Sequence, residues 1–256
     1  MKPISIPSEA YTADKIIVNH SGGKDSQAML AALVSAGLKD KLLIVHSDLG
    51  EMEWEPMHQW IEATSFGVPV VVVKPDLDFF ELCRKYKRLP SGLARFCTSE
   101  LKTNPINRWI KRYCAEQGYT HVVSCLGLRA EESPLRAKKQ ALVRGKASTK
   151  AVTITEWLPI LDYKLADVWA VIEHVGQKPH QVYSKGFSRL SCVFCVFGKL
   201  EEHRMASELR PELFDKVSRL ERELGKTIRL RQEKGVKLPK YLPEYIQPSV
   251  HKVAVF

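Results

Sequence analysis

One short turn constrains this chain more than any other feature. Ile16-Ile17-Val18-Asn19 is a β-branched run, Ser21-Gly22-Gly23-Lys24-Asp25-Ser26 follows it, and Gln27 to Ala36 is rich in Ala, Leu and Met. The order reads strand, glycine turn, helix. Glycines let a backbone bend sharply and let its N–H groups come close to an anion. The start of the helix adds partial positive charge, Ser21 and Ser26 add hydroxyl donors, and Lys24 adds a full charge. The motif is not a Walker A loop, which needs a glycine where Val18 stands and Ser or Thr where Asp25 stands. Nor is it a dinucleotide-binding G-x-G-x-x-G.

The same alternation continues. Leu42 to His46, Val68 to Val73 and His121 to Leu126 are short apolar strands. Glu51 to Thr64, Phe79 to Arg88, Ile106 to Gln117 and Leu165 to Val175 carry helical spacing. Wholly apolar strands between helices predict an α/β chain with a doubly wound, mostly parallel sheet. Arg136 to Lys150 breaks the pattern with six basic residues (Arg136, Lys138, Lys139, Arg144, Lys146, Lys150) and reads as an exposed, mobile loop. Gln177 to Arg189 also reads as loop. Pro211 to Lys234 predicts one long charged helix with Leu213, Val217, Leu220, Leu224 and Ile228 as its buried stripe, and after Gly235 three prolines predict an extended arm. The expected division is a domain over 1–200 and a helix with a basic tail over 201–256.

At 256 residues the chain can bury a core without staples. No apolar stretch approaches the 18–20 residues of a membrane span, and the N-terminus shows no apolar signal core, so a cytoplasmic protein with no membrane partner is expected. Its six cysteines then read as thiols, ligands or redox groups rather than disulfides. The net charge of +10 is lopsided, +1 over 1–128 and +9 over 129–256. That points to a polyanionic partner, nucleic acid first, with a merely solvated basic surface as the alternative.

Six blocks in one order carry a resemblance. They are the Ser21–Ser26 turn; His46-Ser47-Asp48-Leu49-Gly50 with Glu53-Trp54; Arg95-Phe96-Cys97-Thr98-Ser99-Glu100-Leu101-Lys102; Gly127-Leu128-Arg129-Ala130-Glu131-Glu132-Ser133 with Arg136; Leu158-Pro159-Ile160-Leu161-Asp162; and Ser188 to Cys195. Across roughly residues 15–198 the chain resembles the PP-loop ATP pyrophosphatases, in their phosphoadenosine-phosphosulfate reductase-like branch. The resemblance implies an adenine nucleotide alpha hydrolase-like fold and cleavage of ATP to AMP and pyrophosphate. It implies nucleotide binding by Ser21, Gly22, Gly23, Lys24, Asp25, Ser26, Asp48 and Arg129. Lys24, Lys102 and Arg129 would neutralise phosphate charge, and Asp25 and Asp48 would take part in binding Mg²⁺. The structural alternatives are that Asp25 only caps its helix and that Glu131 and Glu132 only pair with nearby arginines.

Cys192-x-x-Cys195 is a two-thiolate clip, which alone does not complete a tetrahedral site. Some sulfonucleotide reductases pair such a clip with an earlier Cys-Cys to hold an iron–sulfur cluster; here Cys97-Thr98 departs by one ligand. Cys97, Cys192 and Cys195 are therefore candidate ligands of a [4Fe–4S] cluster with one open iron, as in some tRNA-thiolating relatives. Zinc with His203 or His180 as fourth ligand, a persulfide or disulfide pair, and plain buried thiols are the alternatives. Cys83, Cys114 and Cys125 read as small core hydrophobes. Reductases of the family also carry a nucleophilic cysteine in a later Glu-Cys-Gly-like motif, and no cysteine follows Cys195 in this sequence. The expectation is an ATP-dependent, sulfurtransferase-like enzyme modifying DNA or RNA with a sulfur donor protein. A sulfonucleotide reductase and a non-catalytic nucleic-acid-binding protein on the same fold are the rival readings.

Overall fold

The computed structural model describes residues 2–54, 57–228 and 241–246. Its strands are β1 (Lys15–Asn19), β2 (Leu42–Ser47), β3 (Val70–Val73), β4 (His121–Leu126), β5 (Leu142–Arg144) and β6 (Thr153–Trp157). Its first helices are α1 (Ser8–Thr12), α2 (Lys24–Ser35), α3 (Met57–Ala63), α4 (Phe79–Tyr86), α5 (Phe96–Thr98) and α6 (Asn104–Gln117). Then come α7 (Pro134–Ala137), α8 (Leu165–His174), α9 (Leu200–Leu209), α10 (Pro211–Leu224) and α11 (Leu242–Ile246). Two compact units divide the chain: Met1–Asp48 with Glu55–Lys74 and Thr103–Ser191, and Leu49–Trp54 with Pro75–Lys102 and Cys192–Phe256.

The first unit holds one six-stranded sheet in the order β3-β2-β1-β4-β6-β5. All its pairings are parallel except β5 with β6. Successive side chains of a strand point to opposite faces, and both faces are covered. Ile16 and Val18 of β1 join Leu30 and Leu33 of α2 and Val168, Val171 and Ile172 of α8. Ile17 joins Leu43 and Val45 of β2, Val122 of β4, and Ile106 and Ile110 of α6 on the other face. Each such aliphatic side chain, fully buried, stabilises the fold by about 1.5–3 kcal/mol. This two-sided burial is why the strands read as continuous apolar runs. The chain is thus α/β and doubly wound, as expected. Strand order reverses between β1 and β4, and open sheets of this kind bind ligands beyond the strand C-termini at that crevice.

Several expected elements differ. The helix expected over 51–64 is a 3₁₀ turn, Gly50–Met52, and a separate α3. Glu53 is extended between them, and Pro56 opposes a continuous helix. The stretch expected as a mobile basic loop contains the end of α7 and all of β5, the latter an antiparallel edge strand whose Val143 pairs with Glu156. At its end Gly145 donates to the Ile154 carbonyl at 2.7 Å. Only glycine fits there, since a Cβ would lie 2.9 Å from that oxygen. Strand β6 itself escaped the apolar-run criterion because Thr153, Thr155 and Glu156 interrupt it. The loop expected over 177–189 includes a 3₁₀ turn, Gln181–Tyr183.

The second unit carries α4, α5 and the C-terminal helices α9, α10 and α11. Asp78 and Glu81 form a reciprocal capping box at the start of α4. Helix α10 ends ten residues earlier than expected, at Leu224, because Gly225 takes a left-handed conformation (φ +61°) that stops it. Leu213, Val217 and Leu220 are its buried stripe, while Ile228 is buried beyond its end. Residues 229–234 of the expected helix lie outside the described residues, as does most of the expected arm, of which Leu242–Ile246 is helical. Glu221 is fully buried; it accepts from Thr227 Oγ1 and from the Ile228 and Leu242 amides. Among the described residues no helix is long and apolar enough to cross a membrane.

Candidate functional site

The glycine turn follows β1 and opens α2, as the sequence reads, and it lies at the sheet's reversal point. Gly22 adopts φ +79°, open to glycine at little cost, and a Cβ there would strike Met57 Sδ. Gly22 is held from both sides. Its N–H donates to His20 Nδ1 at 3.1 Å, and its carbonyl accepts from Trp60 Nε1 at 3.2 Å. Ser26 Oγ accepts from the Ser21 amide at 3.3 Å and donates to the Gly23 carbonyl at 2.8 Å. Tyr183 Oη accepts from the Lys24 amide at 2.9 Å and from the Leu190 amide at 3.2 Å. The first amide of α2 thus already faces an oxygen.

Asp25 joins two cations. Its Oδ1 lies 2.6 Å from Arg129 Nε and its Oδ2 lies 3.1 Å from Lys24 Nζ. The Arg129 and Lys24 side chains are 6% and 7% exposed, so both charges are largely withdrawn from water. Lys24 Nζ also donates to the Ser188 carbonyl and lies over the Trp169 and Tyr183 rings. Arg129 Nη1 donates to Glu131 Oε2 at 2.6 Å, and that oxygen also accepts from the Leu165 amide at the start of α8. Burial works against the Arg129 charge, yet its hydrogen bonds to Asp25 and Glu131 outweigh it and its pKa rises. The Leu165 amide, followed by Arg129, holds Glu131 below the usual carboxylate range. Glu132 accepts from the Arg129 amide and pairs with Arg136. Glu131 and Glu132 therefore do pair with nearby arginines, and Asp25 is an ion-pair bridge rather than a cap, the N-cap of α2 being Gly23 with no side-chain cap bond.

Glycine at 127 completes the geometry. A Cβ there would lie 3.0 Å from the Asp25 carbonyl, so the loop after β4 reaches the turn after β1 only without a side chain. Asp48 directly follows β2, its amide donating to the Val73 carbonyl and its carboxylate 4.0 Å from Lys74 Nζ. His20 and His46 are both buried, and His46 Nδ1 donates to the His20 carbonyl at 2.9 Å. Burial, then the charge of His46, pushes the His20 pKa down to about 3. Tyr183 and Trp60 carry no sequence signal that marks them, and Gly127 is marked only as the first residue of the block that ends in Ser133. His20 is signalled only by its place beside the motif.

Lys102 belongs to the second unit, where its surroundings are thiols. Cys192, then Cys195 and Cys97, raise its pKa. Burial pushes the Cys192 thiol up to about 11 although Lys102 draws it down, and burial and Cys195 raise Cys97. His203 Nε2 donates to the Cys195 carbonyl at 2.9 Å, the same carbonyl that accepts from Gly198 at 2.7 Å. His180 is in the first unit, where it caps Val182 and meets Trp60 edge-on. Three thiols suit iron–sulfur or zinc chemically. Among the described residues no group of three or more His, Cys, Asp or Glu side chains is gathered to hold a metal ion. Cys83, Cys114 and Cys125 are buried, as expected of small hydrophobes.

Residues 15–197 match the phosphoadenosine phosphosulfate reductase domain family. The chain belongs to this family. Curated relatives of this phosphoadenosine phosphosulfate reductase family member include an uncharacterized protein of Escherichia phage 186, 33% identical over 56% of the chain and 42% of that protein. Two uncharacterized proteins of Methanocaldococcus jannaschii are 29% and 28% identical, over 84% and 81% of the chain and 51% and 42% of their own lengths. The chain thus spans about half the length of the curated relatives it matches. Among solved structures, a phosphoadenylyl-sulfate reductase from Candida auris aligns over 75% of this chain and 98% of its own, at 13% identity and a TM-score of 0.47. Candida glabrata FMN adenylyltransferase aligns over 70% and 55%, at 15% identity and 0.43.

Proposed function

We propose that this chain is an ATP-dependent adenylating enzyme that serves a sulfurtransferase-like modification of a nucleic acid, DNA or RNA. An acceptor oxygen attacks the α-phosphorus of MgATP, and the bond to pyrophosphate breaks. The outer sulfur of a donor protein's persulfide then displaces AMP, so that a C–O bond breaks and a C–S bond forms. A second thiol of the donor attacks the remaining S–S bond, which releases the thiolated acceptor and leaves a disulfide on the donor. The observation that carries the reading is the Lys24–Asp25–Arg129 bridge, built on a glycine turn at the sheet's reversal point. Two buried cations held in place are a preorganised partner for the charge that develops on a leaving pyrophosphate. Ser21, Gly22, Gly23 and Ser26 form the bend that receives the outer phosphates, Asp48 faces the Mg²⁺ that arrives with ATP, and Lys102 supplies charge in its own unit. Nucleic acid as acceptor is supported by the excess of +9 in residues 129–256. As arranged here the thiols are assigned no step through a metal.

Exchange of labelled pyrophosphate into ATP tests the adenylation step; no exchange with any polynucleotide and no ATP binding would refute it. Family membership supports a second reading, reduction of phosphoadenosine phosphosulfate. Sulfite release with thioredoxin, in the absence of exchange, would select that reading. Lys24→Ala separates both from a purely binding protein: the enzyme readings expect loss of turnover with the fold retained.

A further inference from the structure

The second unit carries a surface that the adenylation chemistry does not use. Between residues 82 and 99 there are five basic side chains (Arg84, Lys85, Lys87, Arg88 and Arg95) and no acidic one, while Glu81 and Glu100 flank the stretch and Tyr86 Oη donates to Glu100 Oε1 at 3.5 Å. Arg84 is paired with Glu223 on α10. The other four are exposed and have no ion pair among the described residues. Two of them lie on aromatic rings. The Arg88 guanidinium is 5.3 Å from the Phe96 centroid and 6.0 Å from that of Tyr86, and Tyr86 stacks on Phe96 at 4.6 Å. The Arg95 guanidinium is 5.8 Å from the Phe197 centroid.

Local backbone chemistry builds this surface. Helix α4 ends at Lys87 in a left-handed conformation (φ +49°), which turns the chain out of the helix. Ser91 and Ala94 close a tight turn, with the Ser91 amide on the Ala94 carbonyl and the Ala94 amide on Ser91 Oγ. The turn carries Leu93 at its tip, fully exposed, and seats Gly92 against Phe197. Tyr86 and Phe197 remain 38% and 47% exposed. Exposed rings and planar cations without carboxylate partners match the two halves of a single-stranded nucleic acid, bases that stack and phosphates that need charge. A duplex hides its base faces, and an acidic peptide has none.

We infer that this surface, Lys85 to Arg95 with Phe197, binds single-stranded nucleic acid. The inference rests on the proposed nucleic-acid acceptor and says where that acceptor is held. The probes are a labelled uridine oligonucleotide of roughly 12 residues, its deoxy counterpart, the matching duplex, and poly-glutamate as competitor, followed by fluorescence anisotropy across salt. Phe197→Leu, which keeps the apolar volume, is expected to weaken single-strand binding at least about fivefold while leaving the salt slope intact. Arg88→Gln with Arg95→Gln is expected to flatten the logarithmic salt slope by about 1.4. Single-strand binding unchanged in both variants, duplex binding as tight as single-strand binding, or equal displacement by poly-glutamate with no effect of Phe197→Leu would overturn it. ATP affinity, measured calorimetrically, is expected to be unchanged in both variants. Wild-type exchange without binding here defeats this inference alone, and binding here without exchange defeats the adenylation reading alone.

Discussion

Asp25 Oδ1 stands 2.6 Å from Arg129 Nε across 104 residues of chain, while its other oxygen holds Lys24. Removing one member of a buried ion pair leaves an uncompensated charge behind. Asp25→Asn is therefore expected to destabilise the fold by about 2–3 kcal/mol, below the full buried-pair cost because the Asp25 side chain is 21% exposed. Urea unfolding measures this; an unchanged midpoint would show that the two cations find other partners.

His20 makes a pH prediction. Its folded pKa, about 3, lies well below the ordinary value of 6.5. Below that ordinary value the unfolded chain takes up a proton that the folded chain refuses. Stability from neutral His20 is therefore complete above pH 6.5 and declines as pH falls, by up to about 1.4 kcal/mol per unit. His20→Asn keeps an acceptor for the Gly22 amide and cannot titrate. Between pH 7.5 and 5.5 the wild type is expected to lose about 1.4 kcal/mol more than this variant. Parallel losses would remove His20 from the account.

Gly127→Ala tests the approach of the two loops. A methyl group 3.0 Å from the Asp25 carbonyl forces a shift of the bridge. The expected outcome is a cost of about 1–3 kcal/mol, as for other overpacked sites, together with weaker ATP binding by calorimetry. Intact ATP affinity would mean that the turn does not depend on this contact.

The thiols near Lys102 predict a reactivity order. Cys192, at about 11, is mostly a thiol at neutral pH, and Lys102 is the charge that draws it down. Lys102→Met is expected to slow alkylation of Cys192 at pH 8, read by peptide mass analysis, because the thiolate fraction falls. Equal or faster alkylation would show that Lys102 does not face this sulfur. Cys83, pushed up to about 12 by burial, is expected to stay unlabelled in the native protein.

Much of the first unit was legible before any coordinates. Strands β1, β2 and β4 sit where the apolar runs put them, because a strand buried on both faces has to be apolar throughout. The turn at Ser21–Ser26 was legible for the same local reason, since glycines and a helix start announce themselves in order. The hairpin of β5 and β6 was hidden because an edge pair tolerates Arg144, Thr155 and Glu156, so charge masked the pattern. Helix α10 was overextended because its apolar spacing runs on past Gly225, whose conformation ends the helix.

By itself the sequence determined the α/β class and the glycine turn with Lys24 and Asp25 at the start of a helix, which follow from local periodicity and residue chemistry, while Arg129 was marked by the family resemblance. Tertiary structure alone decided that Asp25 bridges both cations, that Tyr183 faces the first amide of α2, and that Lys102 lies among thiols. Those pairings join residues far apart in the chain, and which charges meet out of water depends on how strands and loops pack, which no local pattern records.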